Sequence, residues 1–533
     1  MIDVLIIGSG GAGLTAALSA KDVGASVLVV GKAYPTNSQT SMAQGGMNAA
    51  LGNVGEDSIE SHVEDTVKSA RGLCDENMIE RMCGSAPSAI KWLESIGVPF
   101  SRLDNGKSGI NTVAQRKMGG ASAKRACYAQ DYTGLKILHT LYDTCLKHKI
   151  EFLDEHYLMS LVVEDEVAKG ATFLDIRTGE VKQINAKSVI MATGGYGGIY
   201  HNYTTNMTSA TGDGIAAVLR AGGAVSDMEF VQFHPTALKG SSILISESAR
   251  GEGGYLVNTD GERFIDELKP RDVVARAIFE QFQKGQEVFL DVRHLGEEKL
   301  MELLPQEVEL CKLHENVNPA TELIPIKPVA HYSMGGIDVN SIMEVDGIQG
   351  CFAVGECSNA KVHGANRLGG NSLLEITTFG KFAGEHAHRY ASTTTVQEPD
   401  DTQLQQDRQY IQNLYAQEVR LNFYGQKEKL GKLFYEKVGI VRNNKDLNYA
   451  LEEIIAMQEN FARMGITDKS PTNNTNLIDF LEFANMILLS STIISAAIAR
   501  DESRGAHYKE EFSKQDDEKF KNHIVFQWKK ENA

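Results

Sequence analysis

Residues Val4–Gly13 read VLIIGSGGAG, a short apolar run that passes directly into a glycine-rich turn. The pattern predicts a buried strand, a tight turn and then a helix that continues to about Val23. A second apolar run, Ser26–Val30, follows, and the three elements form the strand–helix–strand unit typical of dinucleotide-binding folds. A pyrophosphate binds at the helix N-terminus in such a unit. The candidate contacts in this turn are Gly8, Gly10, Gly11, Ala12 and Gly13.

The end of the second strand argues against an NAD site. NAD-binding units usually carry an acidic residue there that holds a ribose hydroxyl. Gly31 and Lys32 stand at this point instead. The missing acid therefore weakens the case for NAD.

Two more apolar runs end in glycine turns far along the chain. Ser188–Ala192 leads into a glycine-rich turn at 193–198, and Cys351–Val354 leads into Gly355 and Glu356. Three such units predict an α/β fold in which one Rossmann-like domain is interrupted by an insertion. The predicted divisions are 1–232 and 347–398 for the nucleotide-binding domain, 233–346 for an α+β capping domain, 402–504 for a helical domain and 505–533 for a short C-terminal tail.

Helical periodicity dominates after about residue 402. It predicts helices over Leu430–Val441, Leu447–Phe461 and Leu477–Ala499. The apolar run Ala484–Ala499 is short for a bilayer span and is interrupted by hydroxyl side chains, so a buried helix is expected.

Composition restricts the class of protein. The 533 residues carry a formal charge of −17, which argues against nucleic acid or an anionic membrane surface as the main partner. The seven cysteines form no C-x-x-C pair, so reduced thiols are expected and neither a metal site nor an iron–sulfur cluster. No signal peptide is visible, and a cytoplasmic location is expected.

The stretch His363–Leu373 reads HGANRLGGNSL and places Arg367 among small residues. A guanidinium in such a setting can hold a carboxylate through two parallel hydrogen bonds. This stretch resembles the flavoprotein subunit of succinate dehydrogenases and fumarate reductases. The resemblance extends over nearly the whole chain, with its strongest motifs between residues 8 and 373.

The resemblance implies an FAD site. Ser41–Ala50 resembles the family segment that lies along the flavin ring, and Thr211–Gly214 resembles a further contact. The implied cofactor residues beyond the first turn are Lys32, Ser38, Gln39, Thr40, Gln44, Gly45, Gly46, Thr193, Gly194, Asp213, Glu356, Arg367, Ser372 and Leu373. Many family members bond the flavin covalently through a histidine where Gln39 stands. Glutamine has no nucleophilic ring nitrogen, so non-covalent FAD is expected. In the family, loss of the covalent bond favours fumarate reduction over succinate oxidation; the alternative is that Gln39 only hydrogen-bonds the flavin ring in an enzyme that still oxidises succinate.

The resemblance also implies a clamp for a four-carbon diacid. His234 lies in the motif Glu229–Thr236, and with Ser246 it would hold one carboxylate. His331 and Arg367 would hold the other. Gripping a carboxylate at an angle to the alkene breaks conjugation, and the cations stabilise charge that develops at the α-carbon.

Arg271 is the implied proton donor, recharged through Arg250 and Glu247. Arginine is an unusual acid because its pKa is ordinarily above about 12, so the proton must be replaced at once by a relay. The alternative is a structural ion pair of Arg271 with a nearby carboxylate such as Asp272.

Two other functions stay open. L-Aspartate oxidase shares the fold, FAD and clamp, and Val438–Arg442 leans towards it. Those oxidases generally carry a glutamate facing the substrate amino group where Met118 stands, and Met118 cannot pair with an ammonium. A catalytically idle flavoprotein would need Arg271, His331 or Arg367 to be lost, and all three are present.

The resemblance implies partners as well as a substrate. The substrate pair is fumarate and succinate. An iron–sulfur subunit would exchange electrons with the flavin, and a membrane-anchor subunit could hold the complex at the inner face of the cell membrane.

Overall fold

The predicted opening unit is present. In the computed structural model, which describes residues 1–395 and 398–528, β1 (Ile2–Ile7), α1 (Gly11–Asp22) and β2 (Val27–Val30) follow one another, and β1 pairs with β2 in parallel. Gly8 has a φ of +113°, and a Cβ there would overlap the carbonyl oxygen of Ala192. The turn after β1 therefore requires glycine.

The other elements follow in chain order. The strands are β3 (Met47–Asn48), β4 (Gln115–Arg116), β5 (Ala126–Cys127), β6 (Glu151–Leu153), β7 (His156–Glu164), β8 (Val167–Asp175), β9 (Val181–Met191), β10 (Ala224–Ser226), β11 (Val231–Leu238), β12 (Tyr255–Asn258), β13 (Val288–Asp291), β14 (Ile324–Ser333), β15 (Gly336–Asp338), β16 (Cys351–Ala353), β17 (Ser358–Asn359) and β18 (Val525–Gln527). The helices are α2 (Ile59–Ser69), α3 (Glu76–Ile96), α4 (Thr133–Lys147), α5 (Asp213–Arg220), α6 (Glu247–Gly251), α7 (Arg271–Gln283), α8 (Glu297–Leu303), α9 (Pro305–Glu315), α10 (Asn371–Thr393), α11 (Thr402–Ala416), α12 (Phe423–Lys437), α13 (Asn444–Glu459), α14 (Thr475–Ala499) and α15 (Asp517–Phe520).

The three strand–glycine units lie side by side in one seven-stranded sheet. Its order is β6-β2-β1-β9-β8-β7, and β16 also pairs with β9. Strands β1, β9 and β16 run in parallel, so their three glycine turns meet at one sheet edge. Ligands bind at the carboxyl ends of the strands in such sheets. The predicted α/β fold class is confirmed.

The arginine stretch leads into helix α10, which packs closely on α1 beside this edge. A Cβ at Gly384 would overlap the Ala16 carbonyl, and one at Gly380 would lie 2.9 Å from the Ala12 carbonyl oxygen. Small residues therefore set the approach of the two helices. The start of α10 is brought beside the first glycine turn.

The insertion contributes a second sheet and a second apolar core. The sheet has the order β11-β14-β13-β12, and its core residues lie between Leu238 and Ile326. Helices α7, α8 and α9 contribute to that core. The division 233–346 stays a prediction, as do the other domain limits; residues 396–397 and 529–533, at the ends of two of them, lie outside the described residues.

The C-terminal part is helical, with one correction. Helix α12 starts at Phe423 and ends at Lys437, so the prediction that it reaches Val441 was wrong. Val438 and Ile440 lie beyond the helix but are buried in the main core. Their apolar side chains therefore continued the helical pattern past the end of the helix. The periodicity also gave no sign of α11.

Helix α14 is the one helix in the described ranges that is long and apolar enough to cross a membrane by length and composition. Of the residues in its most apolar stretch, 72% are buried inside the protein. It is a core helix, as the sequence predicted. Beyond it, strand β18 in the predicted tail pairs with β10.

Candidate functional site

An elongated cavity runs across the sheet edge to the insertion. It encloses about 1700 Å³ of empty space, including its open mouth. Its lining extends from the first glycine turn to the histidines and arginines at the insertion, so it offers room for a dinucleotide and a separate place for a small ligand. The predicted residues that line it are Gly8, Gly10, Gly11, Ala12, Lys32, Ser38, Gln39, Thr40, Gln44, Gly45, Gly46, Met118, Thr193, Gly194, Asp213, His234, Ser246, Glu247, Arg271, His331, Glu356, Arg367, Ser372 and Leu373.

Two predicted residues lie behind the wall of the cavity. Gly13 faces β1, and a Cβ there would overlap the Gly8 carbonyl, so it serves the close packing of helix on strand. Arg250 is fully buried behind Glu247.

Orphaned polar atoms show that the cavity suits a polar ligand. Ser38 Oγ, Gln44 Oε1, Thr193 Oγ1 and Arg367 Nε are buried on its wall without a hydrogen-bond partner among the described residues. Each such atom costs about 1–3 kcal/mol unless a ligand satisfies it. With the glycine cradle of the first turn, these donors and acceptors fit FAD.

Lys32 occupies the place of the acidic residue in NAD sites. Its Nζ lies 2.6 Å from both Asp213 Oδ2 and Glu482 Oε1. Burial acts to lower the pKa of Lys32, but the two carboxylates outweigh it and raise that pKa. Glu482 lies on α14, so the helical part also contributes to this end of the cavity.

Gln39 is held by a backbone contact. Its Oε1 accepts a hydrogen bond of 2.8 Å from the Met207 backbone N–H. The amide therefore points along the cavity wall, and it offers the flavin a hydrogen-bonding group and no nucleophile.

The far end of the cavity concentrates positive charge. Arg271 donates from Nε and Nη2 to Glu247 Oε2 at 3.0 and 2.6 Å. Arg250 Nη2 lies 3.6 Å from the other oxygen of the same carboxylate, which also accepts the Gly119 N–H. Burial acts to raise the pKa of Glu247, but Arg271 and Arg250 outweigh it and hold that pKa below its usual value.

Arg367 has no salt bridge to any described carboxylate. Its guanidinium carbon lies 4.1 Å from the centre of the Tyr332 ring, a cation–π contact. Burial and the charge of Arg271 lower the pKa of Arg367 to about 10. A buried cation that stacks on an aromatic ring and forms no salt bridge is suited to an anionic ligand.

The two histidines meet across the same space. Their ring centroids are 4.8 Å apart, and Thr205 Oγ1 lies 2.7 Å from His331 Nδ1. Burial, together with the charge of Arg271, lowers the pKa of both His234 and His331 well below the usual value. Both rings are therefore neutral, and an anion beside them would draw protons onto them.

Ser246 and Met118 complete this end. The Ser246 hydroxyl accepts from the Ser248 N–H at 3.1 Å and is buried at the start of α6. A Cβ on Gly45 would lie 2.6 Å from the Met118 methyl and 3.8 Å from Ser246 Oγ. Met118 thus forms an apolar wall where a charged group would be costly.

Arg271 has an ion-pair partner, but it is not Asp272, the carboxylate that the structural alternative named. Asp272 bonds Arg71 and Arg276, while Arg271 bonds Glu247. Neighbouring residues at the start of a helix point in different directions, and so sequence proximity did not decide the pairing.

Two residues at this end were not predicted as site residues. Gln232 accepts from Arg271 Nη1 at 3.1 Å and donates to the Arg367 carbonyl at 2.8 Å, so it connects the two arginines. It stands two residues before His234 on β11, a spacing that could have indicated a shared face. Tyr332, beside His331, gave no such signal.

Comparisons with known proteins cover the chain from end to end. The family described as FAD binding domain matches residues 3–373, and the family described as Fumarate reductase flavoprotein C-term matches residues 427–533. The 8-methylmenaquinol:fumarate reductase flavoprotein subunit of Wolinella succinogenes is 40% identical over 98% of this chain and 88% of its own length. The succinate dehydrogenase flavoprotein subunit of Rickettsia conorii is 38% identical over 98% and 92%. A solved mutant of the Escherichia coli quinol fumarate reductase superposes with a TM-score of 0.93 at 37% identity, over 98% of this chain and 94% of its own.

Proposed function

The chain belongs to the fumarate reductase and succinate dehydrogenase flavoprotein subunits, which are FAD-dependent oxidoreductases acting on CH–CH groups, and from this premise we propose that its cavity interconverts fumarate and succinate. The observation that carries the proposal is the charge at the far end of the cavity. The buried guanidinium groups of Arg250 and Arg271 share the carboxylate of Glu247, and the nearby buried guanidinium of Arg367 has no salt bridge to any described carboxylate. A small dianion supplies the missing negative charge.

In the proposed mechanism the substrate lies between two pairs of groups. His234 and Ser246 hold one carboxylate, and His331 and Arg367 hold the other. Gln232 fixes the distance between Arg271 and the Arg367 backbone, so the proton donor and the clamp keep one geometry. Such preorganisation is what favours the transition state over the ground state.

FAD, when bound, supplies the two-electron hydride chemistry. The residues that would hold it are those of the first glycine turn, Gln39, the segment at Gln44, Thr193 and the start of α10.

The protein's own residues deliver the proton, which is replaced from solvent after each turnover. Arg271 would release a proton from its guanidinium to the substrate α-carbon. Glu247, which touches both nitrogens of Arg271 that face it, would return one, and Arg250 would recharge Glu247 from the other oxygen. The three groups form a continuous row of contacts, and this row supports the relay.

The FAD is proposed to be non-covalent. Gln39 cannot form a bond to the flavin ring, and its oxygen is engaged by the Met207 N–H. Acid precipitation of the purified protein should leave the yellow cofactor in the supernatant. Colour that stays with the pellet would contradict the proposal.

L-Aspartate oxidation is the second candidate, because the clamp would fit that diacid too. Met118 opposes it, since an apolar wall packed on Gly45 offers nothing to an ammonium group.

The electron partner is proposed to be an iron–sulfur subunit, reaching a membrane through an anchor subunit on the cytoplasmic side. The relatives' names support it, because those proteins are subunits of larger enzymes. The described residues hold no group of three or more potential metal ligands from His, Cys, Asp and Glu. Electrons from a separate carrier would therefore have to enter.

Turnover of the purified protein tests the proposal. Fumarate should reoxidise a reduced dye, succinate should reduce an oxidised dye more slowly, and L-aspartate should do neither. Activity with L-aspartate alone would replace the proposal by the second candidate.

A further inference from the structure

Glu307 is a buried carboxyl beside the substrate end that no step above uses. It lies on α9 of the insertion and is 4% exposed. Its Oε1 accepts a hydrogen bond of 2.8 Å from the backbone N–H of Ser246, and its Oε2 has no partner among the described residues. The carboxyl thus holds the backbone of the residue whose hydroxyl faces the cavity.

Asp131 holds Glu307 from the other side. Its Oδ2 accepts from the backbone N–H groups of Gln306 and Glu307 at 2.8 and 3.1 Å, so it caps the first turn of α9. Asp131 precedes α4, which packs on α1 beside the first glycine turn. A carboxylate is stabilised at a helix N-terminus, and this contact therefore fixes α9 against the nucleotide-binding part of the chain.

The two contacts form a continuous connection. Asp131 fixes α9, α9 carries Glu307, and Glu307 fixes Ser246. We infer that Glu307 is a positioning residue for substrate binding: it sets the Ser246 hydroxyl against the substrate carboxylate and ties that hydroxyl to the nucleotide-binding part through Asp131. The inference rests on the proposed function, because Ser246 is a substrate ligand only there.

The charges around Glu307 give the inference a second readout. The groups that face it are Asp131, Arg116 on β4 and Cys311 on its own helix, and Arg116 in turn lies 3.8 Å from Glu252. Burial, with Asp131 adding to it, raises the pKa of Glu307 to about 8. Glu307 is therefore neutral near pH 7. Above about pH 8 it would carry a negative charge beside a dianionic substrate and weaken binding.

The experiment uses the FAD-loaded enzyme and two substitutions. Glu307→Ala removes the acceptor of the Ser246 N–H, and Glu307→Gln keeps an acceptor oxygen without a charge. We expect Glu307→Ala to raise the KM for fumarate about tenfold, with kcat within about twofold of wild type. Glu307→Gln should restore the KM near pH 7 and remove the rise in KM above about pH 8. Glu309→Ala is the matched control, since Glu309 is exposed on the same helix.

Several outcomes would overturn the inference. A lowered melting temperature of Glu307→Ala with an unchanged KM would show that Glu307 is merely structural. An equal rise in the KM for fumarate in both variants would show that the acceptor oxygen has no role. If Glu307→Ala does not fold, the pH dependence of the KM of Glu307→Gln is the test. A KM for fumarate that rises above about pH 8 as in wild type would contradict the inference. A wild-type enzyme that fails to turn over fumarate would instead refute the proposed function.

Discussion

Two of the regions in which arginines are buried differ in how the charge is balanced. Each guanidinium nitrogen of Arg500 donates a hydrogen bond: Nε to Glu229, Nη1 to Glu502 and Nη2 to a backbone carbonyl. Arg504, beside it, bonds Glu502 and Asp517. At the cavity, Arg250 and Arg271 share the carboxylate of Glu247, and Arg367 has no salt bridge to any described carboxylate.

The difference separates structure from function. A balanced cluster of buried ions needs nothing further and holds the chain after α14 in place. A cluster with excess positive charge beside a cavity is held in place by the fold and is suited to bind an anion. Substitutions in the first region should therefore affect stability, and those in the second should affect turnover and binding.

The largest expected effect is on turnover. Arg271→Ala should lower kcat for fumarate at least about a thousandfold, because it removes the proton donor. Fumarate should still bind, as seen by a shift in the flavin absorbance. Arg276→Ala, one turn along α7 and bonded to Asp272, should stay close to wild type. Near-normal turnover of Arg271→Ala would end the assignment.

A change in the balanced region should act on stability. Arg500→Met leaves Glu229 buried without its ion-pair partner and removes one of the two arginine partners of Glu502, and the free energy of unfolding should fall by about 3–5 kcal/mol. Denaturant titration measures it. The KM for fumarate of the folded fraction should be unchanged. A raised KM at full stability would show that the two regions are not separate in function.

Adding a negative charge to the cavity wall should weaken substrate binding. Met118→Glu places a carboxylate in the cavity wall, and the KM for fumarate should rise about tenfold through repulsion of the dianion. Met118→Leu keeps the wall apolar and serves as the control. An unaltered KM in the Glu variant would place Met118 away from the bound substrate.

The smallest effect concerns an unpaired carboxyl. Burial raises the pKa of Glu307 to about 8, whereas arginines lower that of Glu247. The folded protein therefore keeps a proton on Glu307 that the unfolded chain has released, and this stabilisation is complete below the ordinary value of 4.5 and lost as the pH rises through about 8. Relative to wild type, the melting temperature of Glu307→Gln should be higher at about pH 9 than at about pH 5. A constant difference would contradict the raised pKa.

Local patterns in the sequence predicted much of the fold. The apolar run before Gly8, the absence of an acid at Lys32 and the helical periodicity after residue 402 are properties of neighbouring residues. They predicted the β1–α1–β2 unit, weakened the case for NAD and indicated α12 to α14, whereas FAD was predicted from the family resemblance. The end of α12 was wrong because burial of Val438 and Ile440 follows from packing against distant elements.

The sequence by itself determined which chemical groups the protein carries: a glycine turn for a pyrophosphate, a glutamine where the flavin bond would form, and arginines and histidines for a diacid. The tertiary structure decided which of them share one space and which partner each has. Arg271 pairs with Glu247 and not with Asp272, Lys32 meets Glu482 from α14, and Glu307 reaches Ser246. These pairings join residues far apart in the chain, and they arise only when separate elements pack against one another. No local sequence pattern indicates which distant residues will pair.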